Sequence, residues 1–223
     1  MADFLKEALQ LEEQVVAWRR HIHQNAEIGC ELPKTATYVE SVLDSLEIQH
    51  RRFFGCGVAA WIGEGERTVM LRADMDALPG NETSGLPYAC STGAVHACGH
   101  DIHTSMLLGA AKLLQAHRNE LHGRVVLMFQ PGEECLSGAL GMVQDGLLDC
   151  FRPQLALAMH VNVADVPRGQ VWIKQGVFNA ASDIFEVMVT GRRGHGAHPQ
   201  NAVNPIYAAL HLIAAFTEIS RYE

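Results

Sequence analysis

The stretch HACGHDIH, residues 96–103, places three histidines, a cysteine and an aspartate within eight positions. Apolar residues recur at helical spacing in the segment that continues from it, DIHTSMLLGAAKLLQAHR (101–118), so the stretch should lie at the start of an amphipathic helix. Four explanations fit such a cluster: a metal site, a thiol nucleophile beside a histidine base, a redox cysteine, or an accident of composition. The surrounding sequence has to discriminate among them.

Apolar runs alternate with amphipathic helical patterns on both sides of this stretch. TVMLRA (68–73) and RVVLMFQ (124–130) have the length and apolar content of buried strands. This alternation predicts an α/β fold with a mixed, largely parallel sheet flanked by helices. The predicted helices cover roughly 3–24, 34–47, 101–118, 137–148 and 204–220, and the predicted strands cover 57–62, 68–73, 124–130 and 154–160.

The pattern changes near residue 180. DIFEVMVTG (183–191) alternates apolar and polar residues as a half-exposed strand does, and a helical pattern follows after a glycine-rich turn. One strand and one helix cannot bury a core alone. We therefore predict one domain over 1–180, and over 181–223 the beginning of a second, smaller α+β domain.

Composition narrows the functional class. The formal charge is −8 and the Lys and Arg residues form no stripe, which argues against a nucleic-acid partner. No apolar run reaches the roughly 18 residues of a membrane span, and the first residues lack the pattern of a signal peptide. Six scattered cysteines do not form a dense disulfide framework. These features predict a cytoplasmic protein with free thiols.

Polar side chains follow several of the predicted strands. Asp74 and Asp76 come after TVMLRA, the pair Glu133 and Glu134 comes after RVVLMFQ and a Pro-Gly turn, and His160 ends QLALAMH. In open α/β sheets, ligands bind beyond the carboxyl ends of the strands, so these groups should meet at one edge. Each of them alone has an ordinary structural explanation: a turn, a solvated acidic pair, or a core histidine.

The spacing within these groups suggests roles. Cys98 and His100 are two residues apart, so both would point the same way in an extended segment. One glutamate of the adjacent pair could bind a metal ion while its neighbour acts as general base. His96 and His103 could orient ligands through hydrogen bonds, but packing or solvent exposure explains them equally well.

Five motifs occur in an order that resembles a known family: LRADMDALP, HACGHDIHTSMLLGAA, FQPGEE, AMH and GRRGHGAHP. The chain is similar over essentially its whole length to the M20 metallopeptidases, in the amidohydrolase branch of hippurate hydrolases, N-acyl amino acid amidohydrolases and auxin-conjugate hydrolases. The resemblance implies metal-dependent hydrolysis of the amide bond of N-acyl amino acids. It also implies two divalent metal ions, zinc or manganese, with nickel or cobalt as alternatives. By the same resemblance, 1–180 is a metal-binding catalytic domain and 181–223 is the beginning of a lid or dimerisation domain, through which a homodimer forms.

The resemblance also assigns residues. It places the metal ligands at Cys98, His100, Glu134 and His160. Glu133 falls at the general base, which would take a proton from metal-activated water, and Asp76 falls at an acid that supports the site. His195 corresponds to a lid histidine that reaches the active site of the partner subunit. Asp74 stands where related branches carry a histidine ligand, so its role is open.

Two other hypotheses stay open. The family pattern continues past residue 223 with further elements and a further histidine ligand, so a chain ending there would be expected to be a poorly active or inactive metal-binding remnant. A thiol hydrolase with Cys98 as nucleophile would explain neither the glutamate pair nor His160. An activity assay on N-acyl amino acids tests the first hypothesis. Resistance to a chelator together with loss of activity on alkylation would indicate the second.

Overall fold

The computed structural model describes residues 3–162, 167, 169–177, 179 and 186–219, and it divides the chain into two compact units, Met1–Val166 and Pro167–Glu223. The helices and strands of the first unit are α1 (Phe4–Gln10), α2 (Glu12–Gln24), α3 (Pro33–Ser45), β1 (Gln49–Phe53), β2 (Gly57–Ile62), β3 (Thr68–Asp74), β4 (Leu78–Pro79), β5 (Ala94–Val95), α4 (His100–Ala116), β6 (Arg124–Gln130), α5 (Gly138–Gln144), α6 (Leu147–Phe151) and β7 (Leu155–Ala158).

A five-stranded sheet in the order β1-β2-β6-β3-β7 forms the centre of this unit. The strand β3 pairs in parallel with both β6 and β7, whereas β2 pairs antiparallel with β1 and β6. Four of the five strands therefore run in the same direction and only β2 opposes them. The predicted α/β fold with a mixed sheet is confirmed. Because β6, β3 and β7 are adjacent and parallel, their carboxyl ends meet at one edge.

Helices cover both faces of the sheet. On one face, Trp18 of α2, Leu43 of α3 and Leu108 of α4 belong to one buried apolar cluster with residues of β2 and β6. On the other face, Met142 of α5 and Leu147 of α6 belong to a second buried cluster with residues of β1, β2 and β6. The sheet is thus the middle of three layers, which leaves its carboxyl edge as the place where polar side chains can gather.

Local boundaries differ from the sequence-based predictions at several positions. The predicted helix over 3–24 is divided at Leu11 into α1 and α2, and the pattern over 137–148 forms two helices separated by Gly146, whose φ of +90° interrupts the helical backbone. The strand β1, with the sequence QHRRF, was not predicted. It lies at the edge of the sheet with mostly exposed or half-exposed side chains, so it shows no apolar run.

The second unit contains α7 (Pro205–Ile219), a 3₁₀ turn (Pro199–Asn201) and an antiparallel bridge between Arg192 and Val203. The predicted division at 180/181 and the first part of the predicted strand 183–191 lie outside the described residues. In the described remainder, 186–191, no strand is assigned. No helix within the described ranges is long and apolar enough to cross a membrane.

Candidate metal centre

Four segments deliver polar side chains to the carboxyl edge of the sheet. Asp74 is the last residue of β3, and the turn that carries Glu133 and Glu134 follows β6. His160 follows β7, and His100 is the first residue of α4. The predicted convergence of these groups is therefore observed. It results from the parallel pairing of β6, β3 and β7.

Asp76 organises the centre of this edge. Its two carboxylate oxygens accept hydrogen bonds from the backbone N–H of Glu133 at 3.0 Å and of Glu134 at 3.1 Å. Its backbone carbonyl oxygen lies 2.8 Å from His100 Nδ1. Since a carbonyl only accepts, this contact requires a proton on Nδ1 and leaves Nε2 with a free lone pair when the ring is neutral. Asp76 therefore contacts the ring of His100 and the backbone of both glutamates.

Five side chains have possible metal-ligating atoms that lie close to one another. His100 Nε2 lies 3.9 Å from both Glu133 Oε2 and Glu134 Oε1, and Cys98 Sγ lies 3.3 Å from His160 Nε2. Ligand atoms of Cys98, His100 and His160 fall within 4.8 Å of one another, as do those of His100, Glu133 and Glu134. We call these five residues the open cluster. His100 belongs to both groups of three, so it joins the two halves of the cluster.

The chemistry of the open cluster suits a divalent cation. His100 Nε2 and Glu134 Oε1 are buried without a hydrogen-bond partner, which is costly unless another group satisfies them. Burial, reinforced by the negative charge of Glu134, raises the pKa of the Cys98 thiol to about 11. A cation would satisfy both orphaned atoms and reverse the repulsion that disfavours the thiolate. Thiolate, imidazole and carboxylate are all ligands that zinc accepts.

A second set of groups at the same edge contains a histidine that has a hydrogen-bond partner on each ring nitrogen. His103 Nδ1 lies 2.6 Å from Asp74 Oδ1, and His103 Nε2 accepts a hydrogen bond from the backbone N–H of Val161 at 2.9 Å. Arg72 contacts the other carboxylate oxygen of Asp74 at 2.8 Å. Burial opposes ionisation of Asp74, but the bond with His103 and the charge of Arg72 prevail and lower its pKa to about 2. We call Arg72, Asp74, His103 and the Val161 amide the closed network.

The closed network contains two residues whose roles the sequence left open, His103 and Asp74. Both ring nitrogens of His103 are engaged, so it is placed to orient its neighbours through hydrogen bonds. The amide that it holds belongs to the residue directly after His160, so the network positions that histidine. Asp74 contacts Arg72 and His103, and its Oδ2, which has no hydrogen-bond partner, lies 3.6 Å from His100 Nε2. Ligand atoms of Asp74, His100 and His103 therefore form a third group within 4.8 Å.

Cys98 and His100 are close, but the extended backbone proposed between them is wrong. The segment is not extended at this point, because Gly99 between them has a φ of +90° and forms the N-cap of α4. A side chain at position 99 would also collide with Val161. Glycine is therefore needed both for the turn and for the approach of the segment that carries His160.

The remaining predicted residues lie elsewhere. His96 is buried, both its ring nitrogens lack hydrogen-bond partners, and burial lowers its pKa to about 4. His195 lies in an exposed turn of the second unit, where its Nδ1 accepts a hydrogen bond from the backbone N–H of Ala197 at 3.1 Å. All six cysteines are free.

Sequence reasoning missed a buried network behind the open cluster. Asp101, directly after His100, accepts a hydrogen bond from Arg19 Nε at 2.9 Å and lies 2.8 Å from His23 Nδ1. The second ring nitrogen of His23 lies 3.0 Å from Glu82 Oε2. Arg19 and His23 are four residues apart on α2 and so share one face, which was the available signal. The network fixes the first turn of α4 against α2.

Comparisons with known proteins identify relatives of this chain. Residues 70–220 match the sequence model described as Peptidase family M20/M25/M40. An N-acetyl-L-cysteine deacetylase from Bacillus subtilis (strain 168) is 42% identical over 213 residues, covering 94% of this chain and 50% of that protein. A hippurate hydrolase from Campylobacter jejuni is 38% identical over 224 residues, covering 97% of this chain and 57% of that protein.

A solved structure shares the fold. The Bacillus subtilis YXEP protein, described as a dinuclear metal-binding peptidase from the M20 family, superposes with a TM-score of 0.71 at 34% sequence identity. The match covers 75% of this chain and 48% of that one. The chain spans about half the length of the curated relatives that it matches.

Proposed function

Because the chain belongs to peptidase family M20/M25/M40, we propose that the open cluster binds two divalent metal ions and that the protein hydrolyses the amide bond of N-acyl amino acids. The observation that carries the proposal is His100 Nε2, a buried imidazole nitrogen without a partner that faces two carboxylates and belongs to one ligand group with Cys98 and His160. The names of the relatives from Bacillus subtilis and Campylobacter jejuni support the class of substrate.

The proposed metal ligands are Cys98, His100, Glu134 and His160. Zinc suits the thiolate and the imidazoles, manganese suits the carboxylates, and nickel or cobalt are alternatives. When bound, the ions supply positive charge that lowers the pKa of water and polarises the substrate carbonyl. Asp76 keeps the lone pair of His100 Nε2 available and holds the backbone N–H groups of both glutamates.

Glu133 is the proposed general base. Its Oε2 lies 3.9 Å from His100 Nε2, so the carboxylate reaches the ligands while its own backbone is held by Asp76. In the proposed reaction Glu133 accepts a proton from the attacking water and then donates it to the leaving amine. His195 of a partner subunit is the proposed donor to the developing oxyanion, in a homodimer formed through the second unit.

A thiol hydrolase is the second candidate, because Cys98 Sγ lies 3.3 Å from His160 Nε2, within reach of a thiol–imidazole pair. The raised pKa of Cys98 opposes it, since a nucleophilic cysteine needs a lowered pKa. The two candidates predict opposite responses to inhibitors. A chelator should abolish turnover by a metal-dependent enzyme and leave a thiol enzyme active, whereas alkylation should abolish turnover by a thiol enzyme.

The deciding experiment measures metal content and turnover together. The protein is loaded with zinc or manganese, its bound metal is counted by elemental mass spectrometry, and hydrolysis of hippurate and N-acetyl amino acids is followed by amine release. We expect two ions per chain and turnover that a chelator removes and added metal restores. Turnover that persists after complete metal removal would refute the proposal, and so would failure of the open cluster to bind metal.

A further inference from the structure

Two cysteine thiols meet beside the open cluster. Cys30, in the loop between α2 and α3, has its Sγ 3.7 Å from the Sγ of Cys135, which directly follows Glu134. The hydroxyl of Ser137 lies 3.2 Å from the Cys30 sulfur and 3.0 Å from the Cys135 sulfur. Cys135 is exposed and Cys30 is half-buried. In the part of the chain that the structure describes, no other two cysteine sulfurs are in contact.

This contact depends on the turn that carries the proposed ligands. Gly132 has a φ of +59°, and a Cβ at this position would collide with Cys30 Sγ and lie 3.1 Å from Cys135 Sγ. The absence of a side chain at 132 lets the two sulfurs approach each other. The carbonyl of Gly132 also accepts hydrogen bonds from the backbone N–H of Ser137 at 3.3 Å and of Gly138 at 3.1 Å. One tight turn therefore holds a thiol pair and the two adjacent glutamates.

We propose that Cys30 and Cys135 are a redox-active dithiol whose oxidation to a disulfide weakens metal binding at the open cluster. The oxidant is a small-molecule disulfide. The exposed Cys135 thiolate attacks one of its sulfurs, forms a mixed disulfide and releases the first small thiol. Cys30 then attacks the Cys135 sulfur and displaces the second. The protein loses two electrons and two protons, and the small disulfide is reduced to two thiols.

The expected effect of the disulfide on metal binding follows from the distance between the two sulfurs. This part of the proposal rests on the proposed function. A disulfide bond is about 2.05 Å long, so the sulfurs must approach by roughly 1.7 Å from their present contact. Part of that movement passes into the turn on which Glu134 precedes Cys135. Functional geometry tolerates displacements of only about 0.5 Å. Changes to groups that orient metal ligands typically lower metal affinity by about 10–100-fold, and we expect the lower end of that range, about tenfold. By linkage, bound metal should disfavour oxidation by the same factor.

The test combines disulfide mapping with metal titration. Reduced protein is equilibrated with oxidised and reduced glutathione at graded ratios, remaining thiols are alkylated, and peptides are analysed by mass spectrometry. We expect a peptide linking Cys30 to Cys135 that dithiothreitol removes, and zinc affinity about tenfold lower in the oxidised form by chelator competition. Cys30→Ser and, separately, Cys135→Ser should abolish both effects. Cys150→Ser, which removes another exposed thiol, should retain both.

The readouts separate the two proposals. A stable mixed disulfide on Cys135, with Cys30 unmodified, would overturn the dithiol assignment. A linked peptide with unchanged zinc affinity would overturn the coupling. If the reduced protein binds no zinc, the proposed function fails, whereas the mapped disulfide still supports the thiol pair.

Discussion

His100 and His103 lie one turn apart on α4, are both buried, and face the same edge of the sheet, yet they belong to opposite environments. His103 has a partner on each ring nitrogen, the Asp74 carboxylate and the Val161 amide. His100 has the Asp76 carbonyl on Nδ1 and no hydrogen-bond partner on Nε2. The two histidines thus differ by one unsatisfied ring nitrogen.

The comparison shows that burial and residue type do not decide what a histidine does. A buried imidazole with two partners is a structural element, because replacing either partner leaves a polar group unsatisfied. A buried imidazole with one partner has a lone pair fixed in direction and available to a cation. The closed network holds the segment of His160, so it positions a member of the open cluster without joining it.

The largest effect should come from a change inside the open cluster. Glu133→Gln removes the proposed general base but keeps the shape of the side chain and the backbone N–H that Asp76 holds. We expect hydrolysis of N-acyl amino acids to fall by about 10²–10⁴-fold while bound metal is retained. Steady-state kinetics and elemental analysis on the same sample check this.

Glu134→Gln is the matched control for that experiment. The two glutamates are adjacent and hydrogen-bond the same aspartate through their backbones, but Glu134 Oε1 is the buried atom without a partner. We expect this variant to lose metal first, with turnover falling in proportion to bound metal. Equal metal loss in both variants, or near-normal turnover in Glu133→Gln, would contradict the assigned division of roles.

The next largest effect should come from a change in the closed network. Asp74→Asn replaces a buried charge that contacts Arg72 at 2.8 Å and His103 at 2.6 Å. Removing one member of a buried pair costs about 3–5 kcal/mol. We expect the lower end of that range, because Arg72 is partly exposed and keeps its bond to Gln130. Denaturant unfolding measures the change in stability.

Metal titration of the same variant shows whether the closed network positions the open cluster. Loss of the Asp74 partner should loosen His103 and the Val161 amide, and with them His160. We expect metal affinity to fall by about 10–100-fold even though no proposed ligand is changed. Unchanged affinity together with lowered stability would restrict the network to a structural role.

An exposed ion pair should contribute much less to stability than the buried contacts of Asp74. Arg52 makes two hydrogen bonds to Glu40, at 2.8 and 2.6 Å, and these bonds lower the pKa of the carboxyl group. The Arg52 side chain is 37% exposed, so water and salt screen the interaction. We expect Glu40→Gln to cost less than about 1 kcal/mol in the free energy of unfolding, with the difference shrinking further at high salt. A cost near that of Asp74→Asn would show that burial does not set the scale here.

Much of the site could be predicted from the sequence, because the ends of the strands can be predicted. Apolar runs identify β3, β6 and β7, and parallel pairing then brings Asp74, Glu134 and His160 to one edge. The contacts that separate the open cluster from the closed network were not accessible. The bond from the Val161 amide to His103 depends on how closely two segments approach across Gly99, and no local pattern encodes that distance.

The smallest effect concerns a histidine, His117, that is paired on both ring nitrogens like His103 but is only half-buried. Hydrogen bonds from His117 to Glu120 at 2.7 Å, and to Glu7 of α1 at 2.8 Å, raise its pKa. A group with a raised pKa in the folded protein stabilises it fully below its unfolded pKa of about 6.5, and the contribution disappears as pH rises through the folded value. The attachment of α1 should therefore weaken above about pH 6.5. Amide exchange protection of residues 4–10, measured at pH 5.5 and 8.5, should fall between the two values, and His117→Gln should remove the difference. If α1 were equally protected at both values in the unmodified protein, two carboxylate partners would not suffice to make a half-buried imidazole structural, and full burial would be the property that distinguishes His103.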